Sequence, residues 1–179
     1  MFCNGDYYLR PVQETDLQWL ADLRNDSETW PFLGTLNFTN LLKQKVWFEK
    51  SSLDLKQMNF IFCEQKGHER IGFVRIDEID SINGSLRVGG DIHPTFRGKG
   101  LGKEMYKLIF KLAFDNLRMH RVWLLVACFN PRAQALYKKM GMQEEGKYKE
   151  ALFRYGQYYD YIIMSILESD YHPRKATND

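Results

Sequence analysis

The strongest chemical signal in the chain is a short segment with glycine at three alternate positions and two basic residues among them. It covers residues 97–102 and reads Arg97-Gly98-Lys99-Gly100-Leu101-Gly102. Glycine tolerates a positive φ and lets a ligand approach the backbone closely. A helix that begins at such a loop directs unpaired N–H groups and the positive end of its dipole at one spot. The segment therefore predicts a site for phosphate oxygens, and for a ligand that carries a pyrophosphate.

Several kinds of glycine-rich loop compete for this segment. A P-loop ends in Gly-Lys-Ser/Thr, whereas here Glu104 follows Gly102 and Lys103, so that class is excluded. A dinucleotide fold requires an acidic residue at the tip of the next strand. The strand predicted at 121–127 ends in Cys128-Phe129 instead, which disfavours that class. A glycine-rich turn without a ligand remains the simplest alternative.

A second segment, residues 130–142, reads NPRAQALYKKMGM. Together the two segments resemble the motifs of the Gcn5-related N-acetyltransferases. The first family motif is Gln/Arg-x-x-Gly-x-Gly/Ala, which Arg97, Gly100 and Gly102 match. The second is Asn-x-x-Ala-x-x-Leu-Tyr-x-Lys-x-Gly-Phe, from which this chain departs only at Met142.

The resemblance implies acetyl-CoA as co-substrate, bound in part by the loop residues 97–102 that the motif contains. It also implies that Asn130 hydrogen-bonds the pantetheine arm and that Tyr137 points at the thioester sulfur. A phenol near pKa 10 can donate or share a proton with the leaving thiolate. The alternatives are a helix cap for Asn130 and a core aromatic for Tyr137. The oxyanion would be stabilised by a backbone N–H at the strand end, at Ile92 or His93.

The group that takes the proton of the attacking amine is less clearly marked. Asp91 and His93 lie at the end of the strand that leads to the glycine loop, on the same side of that strand by alternation. Asp26 or Glu28 is a further candidate, and a structural carboxylate is the alternative for Asp91. The sequence has no HxxxH pattern and no clustered Cys and His, so we expect no metal.

Candidate residues for the amine acceptor are more dispersed. The segments 23–26 and 47–50 resemble a subgroup that includes ribosomal-protein N-terminal, spermidine and nucleotide-amino-sugar acetyltransferases. We expect Arg24, Glu28, Trp30 and Tyr155 to bind the acceptor. A polyamine such as spermidine requires an acidic pocket, and acidic residues do not dominate among the residues predicted to line the acceptor site. A nucleotide-linked amino sugar or a peptide N-terminus is therefore favoured over spermidine. A non-catalytic acetyl-CoA sensor is the alternative from another class. Further wall residues are Phe32, Phe38, Lys149, Arg154 and Tyr158.

The elements that must position these residues follow the order β-α-α-β-β-β-α-β-α-β-β. We expect an α/β (α+β) fold with a mixed, mostly antiparallel sheet of about seven strands and about four helices, as in the resembled family. In that family the strand before the glycine loop and the strand after its helix splay apart. Gly89-Gly90 predicts a bulge or a close approach to the backbone. The helix predicted after residue 40 is expected to bury Leu42 and Val46, with Phe48 and Leu53.

Bulk properties limit the remaining classes. The 179 residues suggest one domain, 1–167, followed by a polar, mobile tail at 168–179. A net charge of +2 argues against broad nucleic-acid binding. No apolar run reaches the length of a membrane span, and the N-terminus lacks a signal-peptide pattern. Three isolated cysteines indicate reduced thiols and a cytoplasmic location. The sequence does not decide whether the protein forms a homodimer.

Overall fold

The computed structural model describes residues 1–35 and 38–172, and its centre is a single eight-stranded sheet. The strand order is β1-β2-β3-β4-β5-β6-β8-β7. Every neighbouring pair is antiparallel except β5 and β6, which are parallel. The strands are β1 (Phe2–Asn4), β2 (Tyr7–Pro11), β3 (Met58–Glu64), β4 (Arg70–Asp80), β5 (Ser85–Ile92), β6 (Arg121–Ala127), β7 (Gln143–Arg154) and β8 (Gln157–Leu167).

Five α-helices accompany the sheet in the described part of the chain: α1 (Leu17–Asn25), α2 (Leu41–Leu53), α3 (Leu101–Phe110), α4 (Pro131–Lys139) and α5 (Glu168–Tyr171). The third continues as a π-helical turn, Lys111–Asn116. The predicted mixed sheet with helices on its faces is confirmed. The prediction missed β1 and α5, which are too short to carry a periodic pattern. Within the described residues, no helix has the length and apolarity to cross a membrane.

Alternation along the central strands divides the core between the two faces of the sheet. On β4, Val74 packs in the larger cluster beneath α3, whereas Phe73 packs in the smaller cluster with α1. Cys63 is buried in the smaller cluster, as expected for a small apolar side chain. Residues that follow the same alternation on β5 therefore divide in the same way. Asp91, which pairs with Phe73, lies on the α1 face.

The predicted splay lies between β5 and β6. These strands pair only at Ser85–Arg121, Leu86–Val122 and Arg87–Trp123. Beyond Arg87, β5 stays paired with β4 as far as Ile92. Beyond Trp123, β6 stays paired with β8 as far as Ala127. Each strand therefore keeps its outer partner while the two separate, which leaves a wedge at the centre of the sheet.

The glycine pair in β5 does not form the predicted bulge. Gly89 and Gly90 pair without interruption with Arg75 and Val74. The irregularity lies between Asp77 and Asp80 instead. The alternative interpretation, close approach to the backbone, is correct for Gly90: a Cβ there would lie 2.5 Å from Cε of Met105. The glycine thus allows α3 to pack closely on the strand.

The orientation of α2 also differs from the prediction. Leu42 and Leu53 are 71% and 83% exposed, whereas the buried positions are Gln44 and Ser51. The reason is the large aromatic side chains on the opposite face of the helix. Trp47 packs against Phe73 with ring centroids 6.0 Å apart, which fixes the rotation of α2 and turns the leucines outward.

The C-terminal segment, which we expect to be a mobile tail, begins with the short helix α5. Tyr171 of α5 stacks on Phe114 with ring centroids 4.9 Å apart. The imidazole Nε2 of His172 lies 2.8 Å from Oδ1 of Asp115. These contacts dock residues 168–172 on the π-helical turn. Residues 173–179 lie outside the described part.

Candidate active site

The glycine loop leaves β5 through a 3₁₀ turn at Pro94–Phe96 and ends at the first residue of α3. Gly98 and Gly100 have φ of 82° and 77°, the left-handed region that favours glycine. Apart from the adjacent residues, no atom of the described residues lies within 4 Å of a Cβ placed at either position. Open space, a reachable backbone and a helix N-terminus coincide here. The residues present therefore fit the pyrophosphate of CoA.

Gly102 has a different role from the two loop glycines. A Cβ at this position would lie 2.9 Å from Cδ2 of Leu136 on α4. The absence of a side chain therefore lets α3 and α4 approach each other closely. The two sequence motifs, distant in the chain, meet at this contact.

Arg97 is one of the two basic residues in the predicted phosphate site, but its side chain turns away from the loop. Its Nε donates to the carbonyl of Ile92 at 2.9 Å, and its Nη2 donates to Oγ1 of Thr29 at 2.6 Å. Its Nη1 lies 3.1 Å from the carboxylate of Glu28, an exposed residue predicted to bind the acceptor. Arg97 thus ties the end of β5 to the segment after α1. Lys99 keeps its charge at the loop, with Nζ 5.2 Å from the ring of Phe96.

Asn130 caps α4. Its Oδ1 accepts a hydrogen bond from the N–H of Ala133 at 3.1 Å, and Pro131 occupies the first helical position. The cap uses only the carbonyl end of the amide. The Nδ2 group makes no hydrogen bond within residues 1–35 and 38–172, so capping is compatible with the predicted contact to the pantetheine arm.

Tyr137 is buried on α4, and its nearest aromatic neighbour is Tyr106 of α3, with ring centroids 5.2 Å apart. Burial raises the pKa of Tyr137 to about 12, although the neighbouring Tyr106 hydroxyl pulls it down in part and Asp91 raises it further. The phenol is therefore protonated at neutral pH. The buried hydroxyl of Tyr106 has no well-formed hydrogen bond to any described residue. Sequence reasoning missed Tyr106, although its spacing of three from Ile109 places it on the buried face.

The last residue of β5 offers a backbone donor to the wedge. The N–H of His93 donates to the carbonyl of Ile71 at 2.9 Å, so it is already used. Antiparallel alternation then directs the N–H of Ile92 away from β4 and towards the wedge. The His93 ring stacks on Trp19 with centroids 5.6 Å apart, and its Nδ1 lies 2.9 Å from Oγ1 of Thr95.

The negative charge of Asp91 raises the pKa of both Tyr106 and Tyr137. Burial raises its pKa, while Arg75, Arg24 and Arg97 act in the opposite direction. Its charge also raises the pKa of Tyr137, whereas no such effect comes from His93. Asp91 therefore influences Tyr137 electrostatically, although alternation along β5 puts Asp91 and His93 on the same, α1 face of the sheet.

Two arginines that the sequence analysis missed lie on the same face as Asp91. Arg75 and Arg87 both contact Asp77, with Nε–Oδ distances of 2.8 Å each. Burial raises the pKa of Tyr161, while the charges of Arg154, Arg75 and Arg87 act in the opposite direction. None of these residues belongs to a local motif. The sequence signal that could have found them is the presence of charged residues of opposite sign, Asp77 and Arg87, in two neighbouring central strands.

The predicted acceptor aromatics meet at the outer edge of this face. Trp30 contacts Phe38 and Tyr155, with ring centroids 5.9 Å and 5.8 Å apart. Arg154 is 5% exposed and donates to the carbonyls of Pro31 and Leu33. Its charge is therefore used to hold this segment against the β7–β8 hairpin. Across residues 1–35 and 38–172, no group of three or more His, Cys, Asp or Glu is arranged to hold a metal ion.

Comparison with known proteins agrees with this geometry. The family described as "Acetyltransferase (GNAT) domain" matches residues 7–143. The spermidine N(1)-acetyltransferase of Vibrio cholerae is 29% identical over 168 residues, which cover 94% of this chain and 96% of that protein. A putative ribosomal N-acetyltransferase of Bacillus subtilis is 27% identical over 104 residues, covering 58% of this chain and 57% of that protein.

Solved structures show the same similarity along nearly the whole chain. The crystal structure of spermidine N-acetyltransferase from V. cholerae in complex with CoA and spermine has a TM-score of 0.89 and 28% identity, and covers 94% of this chain and 99% of that one. A dodecameric structure of the enzyme has a TM-score of 0.84, 28% identity, and coverage of 96% and 99%. With the wedge and both motifs in place, the chain belongs to the GNAT family and is an N-acetyltransferase that uses acetyl-CoA.

Proposed function

We propose that this chain moves the acetyl group of acetyl-CoA directly to a primary amine at the wedge between β5 and β6. The observation that carries the proposal is the arrangement around this gap. Tyr137 lies buried on α4, while Asp91 and the N–H of Ile92, which points away from β4, lie at the end of β5. A donor for the leaving sulfur, a donor for the carbonyl oxygen and a carboxylate thus meet at one opening.

The cofactor is held by backbone more than by side chains in this proposal. The N–H groups of residues 97–102 bind the pyrophosphate at the start of α3, and Lys99 adds charge. The Nδ2 group of Asn130 donates to the pantetheine arm. Support comes from the left-handed Gly98 and Gly100, whose surroundings are open.

Tyr137 supplies a hydrogen bond to the sulfur as the C–S bond breaks. Its pKa of about 12 is higher than the ordinary value of an alkyl thiol, near 8.5. The proton is therefore shared with the thiolate rather than fully transferred. Sharing still stabilises the charge that develops on sulfur, because the site is buried and the donor is fixed on a helix.

Asp91 receives the amine proton, directly or through water, and the N–H of Ile92 stabilises the carbonyl oxygen. A raised pKa brings a carboxylate closer to the range useful for a base at neutral pH. His93 is the second candidate for the base. Its ring is engaged with Trp19 and Thr95, which favours Asp91.

The identity of the acceptor rests on two observations that favour different amines. The curated relatives from V. cholerae and Escherichia coli are spermidine N(1)-acetyltransferases, which favours a polyamine. The face around Asp91 carries Arg24, Arg75 and Arg87, which would repel one. We therefore place a nucleotide-linked amino sugar or a peptide N-terminus first and spermidine second. A non-catalytic sensor is disfavoured by the presence of Tyr137 and Asn130.

The test is acetyl-CoA consumption against a panel of amines: nucleotide-linked amino sugars, peptides with a free N-terminus, spermidine and aminoglycosides. We expect turnover of one of the first two classes and a large loss with Tyr137→Phe. Spermidine turnover far above every other amine would reverse the order of acceptors. Binding of acetyl-CoA without turnover of any amine would support the sensor instead.

Self-association is a further proposal. One V. cholerae neighbour is a dodecamer, and the outward leucines of α2, Leu42 and Leu53, are exposed in this chain. Analytical ultracentrifugation of the wild type and of Leu42→Gln will test whether this face joins copies. A monomer at all concentrations contradicts it.

A further inference from the structure

The hydroxyl of Tyr106 on α3 is a buried polar group that packing alone does not explain. The residue is 1% exposed, and its hydroxyl has no well-formed hydrogen bond within residues 1–35 and 38–172. A buried hydroxyl is costly without a partner, and most such groups in folded proteins have one. Phenylalanine would fill the same space without this cost, as Phe110 does one turn further along the helix. The hydroxyl therefore indicates a function beyond packing.

The ring of Tyr137 faces Tyr106 across the contact between α3 and α4. The two ring centroids lie 5.2 Å apart with an angle of 64° between the planes, so the edge of one ring meets the face of the other. The second ring against Tyr106 is that of Phe110, with centroids 5.8 Å apart. Of these two rings, only Tyr137 carries an oxygen that can accept a hydrogen bond from the Tyr106 hydroxyl.

Two glycines bring the elements that carry these rings into close contact. A Cβ at Gly90 of β5 would lie 2.5 Å from Cε of Met105, and one at Gly102 of α3 would lie 2.9 Å from Cδ2 of Leu136. Met105 and Leu136 are the residues that directly precede the two tyrosines in the chain. The contacts that press α3 onto β5 and onto α4 therefore also fix the two rings relative to each other.

The two tyrosines differ in their access to the wedge. Tyr137 is 9% exposed, whereas Tyr106 is 1% exposed and its hydroxyl is closed to solvent. Tyr106 can therefore act on a bound molecule only through Tyr137. Burial raises the pKa of both phenols, but Tyr137 raises that of Tyr106 further while the Tyr106 hydroxyl lowers that of Tyr137. These opposite directions agree with a hydrogen bond from Tyr106 to the oxygen of Tyr137, because such a bond favours the anion of the acceptor.

We propose that Tyr106 is a positioning residue for the acetyl transfer: its hydroxyl donates a hydrogen bond to the oxygen of Tyr137, so that the proton of Tyr137 is directed at the thioester sulfur. The inference rests on the proposed role of Tyr137. A phenol can point its proton in more than one direction, and a donor on one side of the oxygen leaves the other side for that proton. The same bond stabilises the charge that develops on the Tyr137 oxygen while the C–S bond breaks. No proton leaves Tyr106.

The hydrogen bond is tested without turnover, by proton NMR of the Tyr106 hydroxyl in the folded protein. We expect a slowly exchanging signal that is absent from Tyr106→Phe and moves upfield in Tyr137→Phe, because the second change removes the acceptor and keeps the donor. Tyr171→Phe is the matched control, since it removes a hydroxyl from a ring stacked on Phe114 and should leave the signal in place. An absent signal, or one that stays in place in Tyr137→Phe, contradicts the hydrogen bond.

Kinetics then test whether the contact serves the reaction. Tyr106→Phe, Tyr137→Phe and the double variant form a mutant cycle, assayed with acetyl-CoA and the best amine of the panel above. We expect Tyr106→Phe alone to lower kcat by about fivefold, the size of one neutral hydrogen bond, with an unchanged KM for acetyl-CoA. In the Tyr137→Phe background the same change should alter kcat by less than about twofold, because no hydroxyl is left to position. A packing role would lower kcat by the same factor in both backgrounds.

A graded substitution separates hydrogen bonding from packing. Tyr106→3-fluorotyrosine keeps the hydroxyl and makes it a stronger donor, so this variant should have at least the wild-type kcat. A lower kcat with the stronger donor contradicts the positioning role. Thermal melting is measured on every variant. If Tyr106→Phe does not fold, the NMR comparison in Tyr137→Phe still decides whether the hydrogen bond exists.

The outcomes separate this inference from the proposed function. A large loss of kcat in Tyr137→Phe together with full kcat in Tyr106→Phe overturns the positioning role alone, and so do equal factors in both backgrounds of the cycle. Full activity in a stable Tyr137→Phe protein overturns the proposed role of Tyr137, and the positioning role with it, even where NMR shows the hydrogen bond.

Discussion

The side of the wedge that faces the glycine loop is built from backbone, whereas the opposite side is built from charged side chains. On the loop side, Gly98 and Gly100 expose N–H groups within one short segment of chain. On the opposite side, where we propose that the acceptor binds, Arg24, Arg75 and Arg87 come from α1, β4 and β5. A backbone site requires particular residue types at particular spacings and is therefore visible in the sequence. A site built from side chains requires only that residues far apart in the sequence come together in the fold. It therefore produces no recognisable spacing in the sequence.

Tyr137→Phe is the sharpest test of the loop side and has the largest expected effect. The change removes one hydroxyl and keeps the ring that packs on Tyr106. We expect kcat to fall by about 10²–10⁴-fold, the usual contribution of a positioned proton donor, with little change in CoA affinity. Steady-state kinetics and calorimetry measure the two quantities.

The comparison for this prediction is Tyr137→Ala, with thermal stability measured on both variants. Tyr171→Phe serves as the matched control, since it removes a hydroxyl from a ring that stacks on Phe114, outside the wedge. Full activity in a stable Tyr137→Phe protein would leave Tyr137 with a packing role only.

Asp91→Asn tests the acceptor side through its pH dependence. Because burial raises the pKa of Asp91, its stabilising contribution is present below the unfolded value near 3.9 and is lost as pH rises through the folded value. At pH 7 the wild type therefore contains a destabilising carboxylate, and Asp91→Asn should melt at a higher temperature. We expect kcat to fall by about 10²-fold and the acidic limb of the pH–rate profile to disappear.

Asp22→Asn is the control for this prediction, because it makes the same change at an exposed position of α1. An acidic limb that is unchanged in Asp91→Asn would assign the base to another group, with His93 next. A lower melting temperature at pH 7 would contradict the sign given above.

Gly100→Ala tests whether the loop acts through its backbone. At a φ of 77° a Cβ costs roughly 1–2 kcal/mol, although no neighbouring atom obstructs it. We expect the loop to relax and CoA affinity to weaken about tenfold, which corresponds to about 1.4 kcal/mol. Gly102→Ala is less informative because Leu136 lies in the way.

Gly146→Ala on β7 is the matched control, with open space around its Cβ position. Equal CoA affinities for the two alanine variants, measured by calorimetry on folded protein, would remove the loop from the cofactor site.

Arg97→Gln has the smallest expected effect. It tests whether Arg97 serves the CoA side or the opposite side of the wedge. The motif assigns Arg97 to CoA, but its side chain contacts Thr29 and Glu28 on the acceptor side. We expect KM for the amine to rise while the Kd for CoA changes by less than about threefold, since partly exposed ion pairs contribute little. Lys99→Gln should show the opposite pattern. A larger loss of CoA affinity in Arg97→Gln than in Lys99→Gln contradicts the geometric assignment.

The parts of the molecule that were predictable are those whose information is local. The strand, loop and helix around Gly100, and the capped helix from Asn130, follow from periodicity and from residues adjacent in the chain. The splay between β5 and β6 followed from the family resemblance that those motifs supported. Each was found where the sequence indicated.

The parts that were missed depend on contacts between residues far apart. Rotation of α2 is decided by Trp47 against Phe73, and the leucine pattern alone favoured the opposite face. The direction of Arg97 is decided by Thr29, a residue of a different segment. Arg75 and Arg87 acquire meaning only when the β4–β5 register pairs Asp77 with Arg87. Such choices need tertiary packing, which a single sequence does not display.

The brief pairing of β5 with β6 has a consequence for how the molecule unfolds. The sheet consists of a β1–β5 half and a β6–β8–β7 half, and these strands share three residue pairs, from Ser85–Arg121 to Arg87–Trp123. The buried cluster beneath α3 contains residues of both halves, so their coupling depends on side-chain packing more than on backbone pairing, and units coupled in this way open separately in hydrogen exchange when that packing loosens. A ligand lying across the gap binds only when both halves are native, and at a hundred times its Kd it adds about 2.7 kcal/mol. CoA should therefore slow amide exchange in both halves together, so that the supply of cofactor sets how cooperatively the enzyme unfolds.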